Sequence, residues 1–234
     1  MKLGIMQPYF FPYLGYFDLI NRCDNWVVFS HCQYIKRGWG NRNRVLHTNK
    51  KDWCYLTVPT QKHSLHTRFD EIRINKTTQW KRSLLSKLEH YKNNAPYYHE
   101  TIDVVKMALS KNTESLTELN IASLQTTCSY LGIQLSIIEY QHDHELEIKV
   151  NLAGDWAFEI CKQTGASTYI NPEGGCKLFN KEKFQNANID LIINKHKTMK
   201  YKTGDYIFQP GLSIIDVMMW SSAEEIKTYL DNCH

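Results

Sequence analysis

The sequence predicts an α/β fold, a mostly parallel Rossmann-like sheet with a helical insertion. Three observations lead there. A short apolar run at residues 3–7 passes through a turn and a helix-spaced segment into a second apolar run at 26–29. Strand-like and helix-like runs alternate again between residues 134 and 220. Between these regions, residues 78–130 show helical spacing. Residues 1–234 therefore read as one α/β domain, with 78–130 as a helical insertion or subdomain within it.

Each element has its reason. The first strand stops at Pro8, which has no amide hydrogen to extend a ladder. Pro12 breaks an aromatic turn, and the segment from Tyr13 through Phe17, Leu19 and Ile20 is helix-like. Residues 53–59 alternate and are rich in strand formers, giving a third strand, with a short fourth at 71–74. Trp80, Leu84, Leu85 and Leu88 set a helix over 78–91, which the run from Asn93 to Pro96 stops. Ile102, Val105 and Leu109 carry a helix over 97–109. Leu116, Leu119, Ala122, Leu124 and Cys128 face inward on the next, over 116–130, with Gly132 as its cap. A strand at 134–140, a helix at 154–164 closed by Gly165, and a strand at 167–170 follow. A Pro/Gly turn covers 171–175, with a short helix at 184–186, a strand at 189–193 and an apolar helix at 212–220.

Composition narrows the function classes. Hydrophobic content of 42% and charged content of 22% are those of an ordinary globular chain. No run of eighteen apolar residues exists, so no membrane span is expected. The N-terminus makes a poor signal peptide. A formal charge of +4 suits anionic small molecules and is no argument by itself for nucleic acid. Seven scattered cysteines without a Cys-x-x-Cys pair suit a reducing cytoplasm. No zinc pattern appears, and the His142-Asp143-His144 stretch reads as a solvated loop, so no metal is expected.

Four constellations carry chemistry. The first is the turn at 8–16, where Gly15 lets a ligand approach the backbone and Tyr9, Tyr13 and Tyr16 offer hydroxyls and flat faces. Gln7 ends the strand before it, and simple core packing is the competing reading of these aromatics. The second runs from Gln33 to Arg44. Lys36, Arg37, Arg42 and Arg44 put four cations in nine residues, with Trp39, Asn41 and Asn43 among them. Arginine forks and lysine suit phosphate, and Gly38 and Gly40 allow a tight wrap around a pyrophosphate. A solvated basic loop is the competing reading. The third spans 169–175, where Glu173 is a candidate general base if burial raises its pKa, Asn171 orients a substrate group and Gly174 frees the backbone. An ordinary Pro/Gly turn is the competing reading. The fourth is at 211–216, where Ser213 reads as a helix cap and Asp216 as a cap or a residue pointing into a site. The catalytic candidates are thus Glu173 and Asn171. The substrate-binding candidates are Gln7, Tyr9, Tyr13, Gly15, Tyr16, Gln33, Lys36, Arg37, Trp39, Asn41, Arg42, Asn43, Arg44, Gly174 and Ser213.

The opening layout is similar to that of nucleotidylyltransferase-type folds, with Tyr13-Leu14-Gly15-Tyr16 where those carry His-x-Gly-His. The four constellations together resemble the WbqC-like family. The match runs through residues 6–17, 33–39 with 41–44, 169–172 with 174–175, and 212–216, and departs at Gly40 and at Ser30-His31-Cys32. The resemblance implies bacterial surface-polysaccharide (O-antigen) biosynthesis and an N-acyl or aminoacyl transferase. Its partners would be a nucleotide-linked amino sugar and an acyl donor, which is a thioester, an aminoacyl-tRNA or an ATP-derived adenylate. Two other readings stand beside it: an ATP-dependent adenylate-forming enzyme, and a non-enzymatic module binding a phosphate ligand or RNA such as tRNA.

Overall fold

β1 (Lys2–Met6) is paired in parallel on both sides, with β2 (Asn25–Val28) on one edge and β5 (Thr168–Pro172) on the other. β6 (Asp190–Asn194) continues the parallel pairing beyond β5, giving the order β2-β1-β5-β6. This sheet belongs to a computed structural model that describes residues 1–140, 142 and 149–232. Asp143 and His144 of the expected 142–144 loop lie outside the described residues.

The chain divides into two compact units. The sheet unit takes Met1–Met6, Asp18–Phe29 and Gln134–Lys197. Its strands read as apolar runs because one face packs on helices: Leu3, Ile5, Val27 and Tyr169 are buried with Phe158, Ile160 and Cys161 of α5 (Asp155–Thr164) and Phe184 of α6 (Lys181–Asn186). Gly4 is required by the opposite face, where a Cβ would lie 2.4 Å from the Trp26 ring. Gly165 closes α5 with φ +68, as its position in the sequence indicates. The expected strand at 134–140 is reduced to one parallel bridge, Ile137 to Trp26, flanking β2.

The hairpin unit takes Gln7–Phe17, Ser30–Ile133 and the chain from Thr198. Here the third expected strand, β4 (Trp53–Thr57), does not join the parallel sheet. It pairs antiparallel with β3 (Arg42–Leu46), the end of the segment expected to be a cationic loop. Arg42 and Arg44 alternate with Asn43 and Val45, and this period of two was masked by the charges. The expected strand at 71–74 is a 3₁₀ turn, Phe69–Glu71, followed by isolated bridges at Arg73 and Ile74. α2 (Trp80–Ser86), α3 (Tyr98–Ser110) and α4 (Leu116–Leu131) follow the expected spacing, and Gly132 caps α4 at φ +66. α7 (Ile214–Trp220) is buried at every position. α8 (Ala223–Asn232), which the sequence reading did not anticipate, buries Ile226 and Leu230 at an i,i+4 spacing. α1 (Leu14–Asn21) begins in the hairpin unit and ends in the sheet unit. Among the described residues, no helix is long and apolar enough to cross a membrane.

Candidate functional site

In the hairpin unit the two proline-flanked aromatic positions Phe10 and Phe11 sit in a turn that no regular element supports. Phe11 has φ +38, a conformation that costs about 1–3 kcal/mol in a residue with a side chain. Buried side chains hold it there. The Phe11 carbonyl accepts from Asn43 Nδ2 (2.8 Å) and Ser213 Oγ (2.7 Å), and its amide donates to Ser123 Oγ (3.4 Å). Asn120 Nδ2 donates to the Pro8 and Gly40 carbonyls, both at 2.7 Å. The Phe10 amide donates to the Trp39 carbonyl at 3.1 Å. The aromatic turn and the cationic segment are therefore one piece of structure.

The cationic segment presents a row of stacked groups. The Arg44 guanidinium lies 5.1 Å from the Trp39 ring and 5.0 Å from the Trp53 ring, and donates to the Gly211 carbonyl at 3.1 Å. Arg42 lies 4.1 Å over the Tyr55 ring and donates to the Gly38 carbonyl (3.4 Å) and the Arg37 carbonyl. Each such cation–aromatic contact contributes roughly 0.5–2 kcal/mol. Trp39 and Trp53 remain 39% and 37% exposed, so the row is open to a flat ligand. Lys36 and Arg37 are exposed beside it, with Arg37 at φ +63. Gln33 Nε2 donates to the Leu65 carbonyl, and Asn41 Nδ2 to the Val58 carbonyl. Gly40 has no room for a side chain, since a Cβ would lie 2.7 Å from the Phe69 ring.

Several sequence candidates are interior braces. Asn43 and Ser213 are buried and bonded to the turn's main chain, so they position it and present nothing to a ligand. Tyr16 is 1% exposed and donates to the Gln7 carbonyl at 2.8 Å, and Gly15 is buried in α1. Asp216 is buried too, accepting from Tyr91 (2.5 Å), Tyr201 (2.8 Å) and the Leu46 amide (3.3 Å). Tyr9 stays half-buried, 5.9 Å from the Tyr16 ring, and burial raises its hydroxyl pKa, with Cys32 and Tyr13 adding to the effect. Burial also pushes the Cys32 thiol up to about 11, against a hydrogen bond with the Gln7 side chain, so it is no activated nucleophile.

In the sheet unit the carboxyl ends of β5 and β6 lie side by side, Asn171 opposite Ile193 and Pro172 opposite Asn194. Asn171 is buried, accepts from the Tyr169 hydroxyl (2.9 Å) and donates to the Pro172 carbonyl (2.7 Å). Glu173 corrects the sequence reading. Its side chain is 65% exposed and 3.9 Å from Lys195, so the burial that a general-base role required is absent. Gly174 is open, whereas a Cβ on Gly175 would meet the Asn171 amide at 2.5 Å. Behind this edge Asp18 is fully buried. It accepts from Asn194 Nδ2 (2.9 Å), Arg22 Nε (3.0 Å) and His196 Nδ1 (3.3 Å). Burial pushes the Asp18 carboxyl up, but the hydrogen bonds from His196 and Asn194 and the Arg22 charge outweigh it and hold it at about 2.

The profile of the WbqC-like protein family matches residues 7–228. The chain belongs to the WbqC-like protein family. A relative in Mycobacterium tuberculosis (strain ATCC 25618 / H37Rv), named "Uncharacterized protein Rv1507c", is 28% identical over 237 residues, covering 99% of this chain and 98% of the relative. No solved structure matches the chain. In this WbqC-like protein the structure therefore joins the turn and the cationic segment, and sets Pro172 opposite Asn194 at the carboxyl ends of β5 and β6.

Sequence reasoning missed Trp53, Tyr55, Asn120, Asp18, Asn194 and His196. Trp53 and Tyr55 become visible once residues 42–46 are read as a strand, because the arginines then need partners across the hairpin. Asp18 and Arg22 look like an ordinary surface i,i+4 pair, and nothing local marks the burial. Asn194 carried a usable signal, a polar residue closing an apolar strand at the sheet's carboxyl edge. Among the described residues no group of three or more His, Cys, Asp and Glu could hold a metal ion.

Proposed function

We propose that this WbqC-like protein is a cytoplasmic N-acyltransferase. In this reading it moves an amino-acid-derived acyl group from an activated donor to the amine of a nucleotide-linked amino sugar in surface-polysaccharide biosynthesis. The observation that carries the reading is the open row Trp39–Arg44–Trp53 with Arg42 on Tyr55. Flat rings take a base by stacking, and guanidinium edges take diphosphate oxygens. Lys36 and Arg37, exposed beside the row, add charge for a doubly anionic ligand. The acyl donor is a thioester, an aminoacyl-tRNA or an adenylate. The adenylate-forming alternative is weakened by Tyr13 and Tyr16 in the place of imidazoles, since Tyr16 is buried with its hydroxyl on the Gln7 carbonyl.

The same row also favours a second reading, a binding module for single-stranded RNA such as tRNA, because stacking and cations serve both ligands. Calorimetry with uridine- and deoxythymidine-diphosphate amino sugars separates the two. The transferase reading expects saturable heat, weakened about 10-fold by Trp53→Ala or Arg44→Ala. No heat across the panel, with salt-sensitive tRNA binding instead, would overturn it in favour of the module.

A further inference from the structure

Two turns of the hairpin unit carry aliphatic side chains into water. Ile35 opens the turn 35–38, which the Gly38 amide closes on the Ile35 carbonyl at 3.0 Å, and Ile35 is 61% exposed. Leu65 sits inside the turn 64–67 and is 68% exposed. The polar groups of this second turn bond among themselves: the Ser64 amide donates to Thr67 Oγ1 and the His66 amide to Ser64 Oγ, both at 3.1 Å. One exposed aliphatic residue is ordinary. These two belong to one piece of structure. Gln33 Nε2 donates to the Leu65 carbonyl at 2.6 Å, the Tyr34 amide donates to the Thr67 carbonyl at 3.0 Å, and Gln33 forms an antiparallel bridge with Arg68. Tyr34 is buried and meets the His63 and Phe69 rings edge-on, with centroids at 5.1 and 5.4 Å. The two turns are thus anchored to each other and to buried rings.

Their charge has one sign. Lys36, Arg37 and Lys62 are exposed beside the two aliphatic residues, and among the described residues none of the three forms an ion pair. From residue 25 to 69 the only acid is Asp52. The next two, Asp70 and Glu71, are paired with Arg68, and Asp70 also lies 3.4 Å from His31. The stacked row is built by other side chains, Trp39, Arg44 and Trp53. A nucleotide or an RNA strand uses cations and flat rings, and gains nothing from a branched aliphatic side chain held in water. A surface of anionic lipids gains from both the aliphatic residues and the cations.

We propose that the turns 35–38 and 64–67 form a docking tip for an anionic lipid surface. Ile35 and Leu65 enter the headgroup region, and Lys36, Arg37 and Lys62 face the lipid phosphates. This goes beyond the transferase reading and does not depend on it. The attachment is peripheral and reversible, because its strength is the sum of a small inserted apolar area and the attraction of a few cations.

Co-sedimentation of the full chain with lipid vesicles tests it. Vesicles of equal parts phosphatidylglycerol and phosphatidylcholine are expected to take down the wild type at low salt, with pure phosphatidylcholine binding about 100-fold more weakly. Ile35→Ser and Leu65→Ser change no charge, and each is expected to weaken partitioning about fivefold. Lys36→Gln and Lys62→Gln are each expected to weaken it by a similar factor, about fivefold. Both serine variants alter exposed side chains, so their melting midpoints are expected to match the wild type. No sedimentation with the anionic vesicles overturns the proposal. So does binding that follows the cations and ignores both serine substitutions, which is the behaviour of a polyanion site such as one for RNA. So does a wild-type dimer in sedimentation velocity that the serine substitutions split, because a second copy of the chain then covers the tip.

Discussion

Asp216 makes the folded protein hold a proton that the unfolded chain releases. Burial raises its carboxyl to about 6 from an ordinary value near 4, although the Tyr91 and Tyr201 hydroxyls and the Leu46 amide pull it down. A raised carboxyl binds more protons in the native state between these two values, so stability falls as pH rises. The contribution is fully present below about pH 4 and lost as pH passes about 6. Two units at 1.36 kcal/mol per unit give about 3 kcal/mol. Asp18 has the opposite sign and another window: its stabilisation is present above about pH 4 and lost as pH falls toward 2. Asp216→Asn keeps the shape and removes the titration, with the Tyr201 hydroxyl turning to accept from the new amide. Urea unfolding of both proteins at pH 4, 5, 6 and 7, followed by tryptophan fluorescence, isolates the effect from other titrating groups. The wild type is expected to gain about 3 kcal/mol on the variant between pH 7 and pH 4. A difference that stays flat within about 1 kcal/mol refutes the reasoning.

Asn120→Ala strips two buried carbonyls, Pro8 and Gly40, of their donor, and is expected to cost about 3 kcal/mol in a denaturant melt. Gly40→Ala drives a methyl group into the Phe69 and Tyr34 rings and should lower stability by about 1–3 kcal/mol, read as a drop in melting midpoint. Cys32→Ser is expected to leave product formation within about threefold, because a thiol pushed up to about 11 is protonated at working pH; a loss of 100-fold would contradict this.

How much of this was legible depended on range. The strands β1, β2, β5 and β6 announce themselves as apolar runs because parallel pairing is favoured by apolar residues packed under helices, and α3 and α4 do so through helical spacing and the Gly132 cap. β3 stayed hidden because its alternating pattern uses arginines on the open face, and charge runs read as loops. Tyr16 was assigned to the turn, Asn43 to the cationic segment and Ser213 to a helix cap, yet the polar atoms of all three serve main-chain carbonyls of Phe10, Phe11 and Gln7. Residue type shows that an atom can donate; only packing shows to what.

By itself the amino-acid order determined the fold class, the family and the basic, aromatic character of the segment ending at Arg44. Periodicity and residue chemistry are local properties, and one strand or helix suffices to display them. Tertiary structure alone decided that Trp53 flanks Arg44, that Asn120 ties Pro8 to Gly40, and that Asp18 meets His196 across 178 residues. Those pairings arise from strand register and from which surfaces the core buries, quantities that belong to the whole folded chain and to no segment of it.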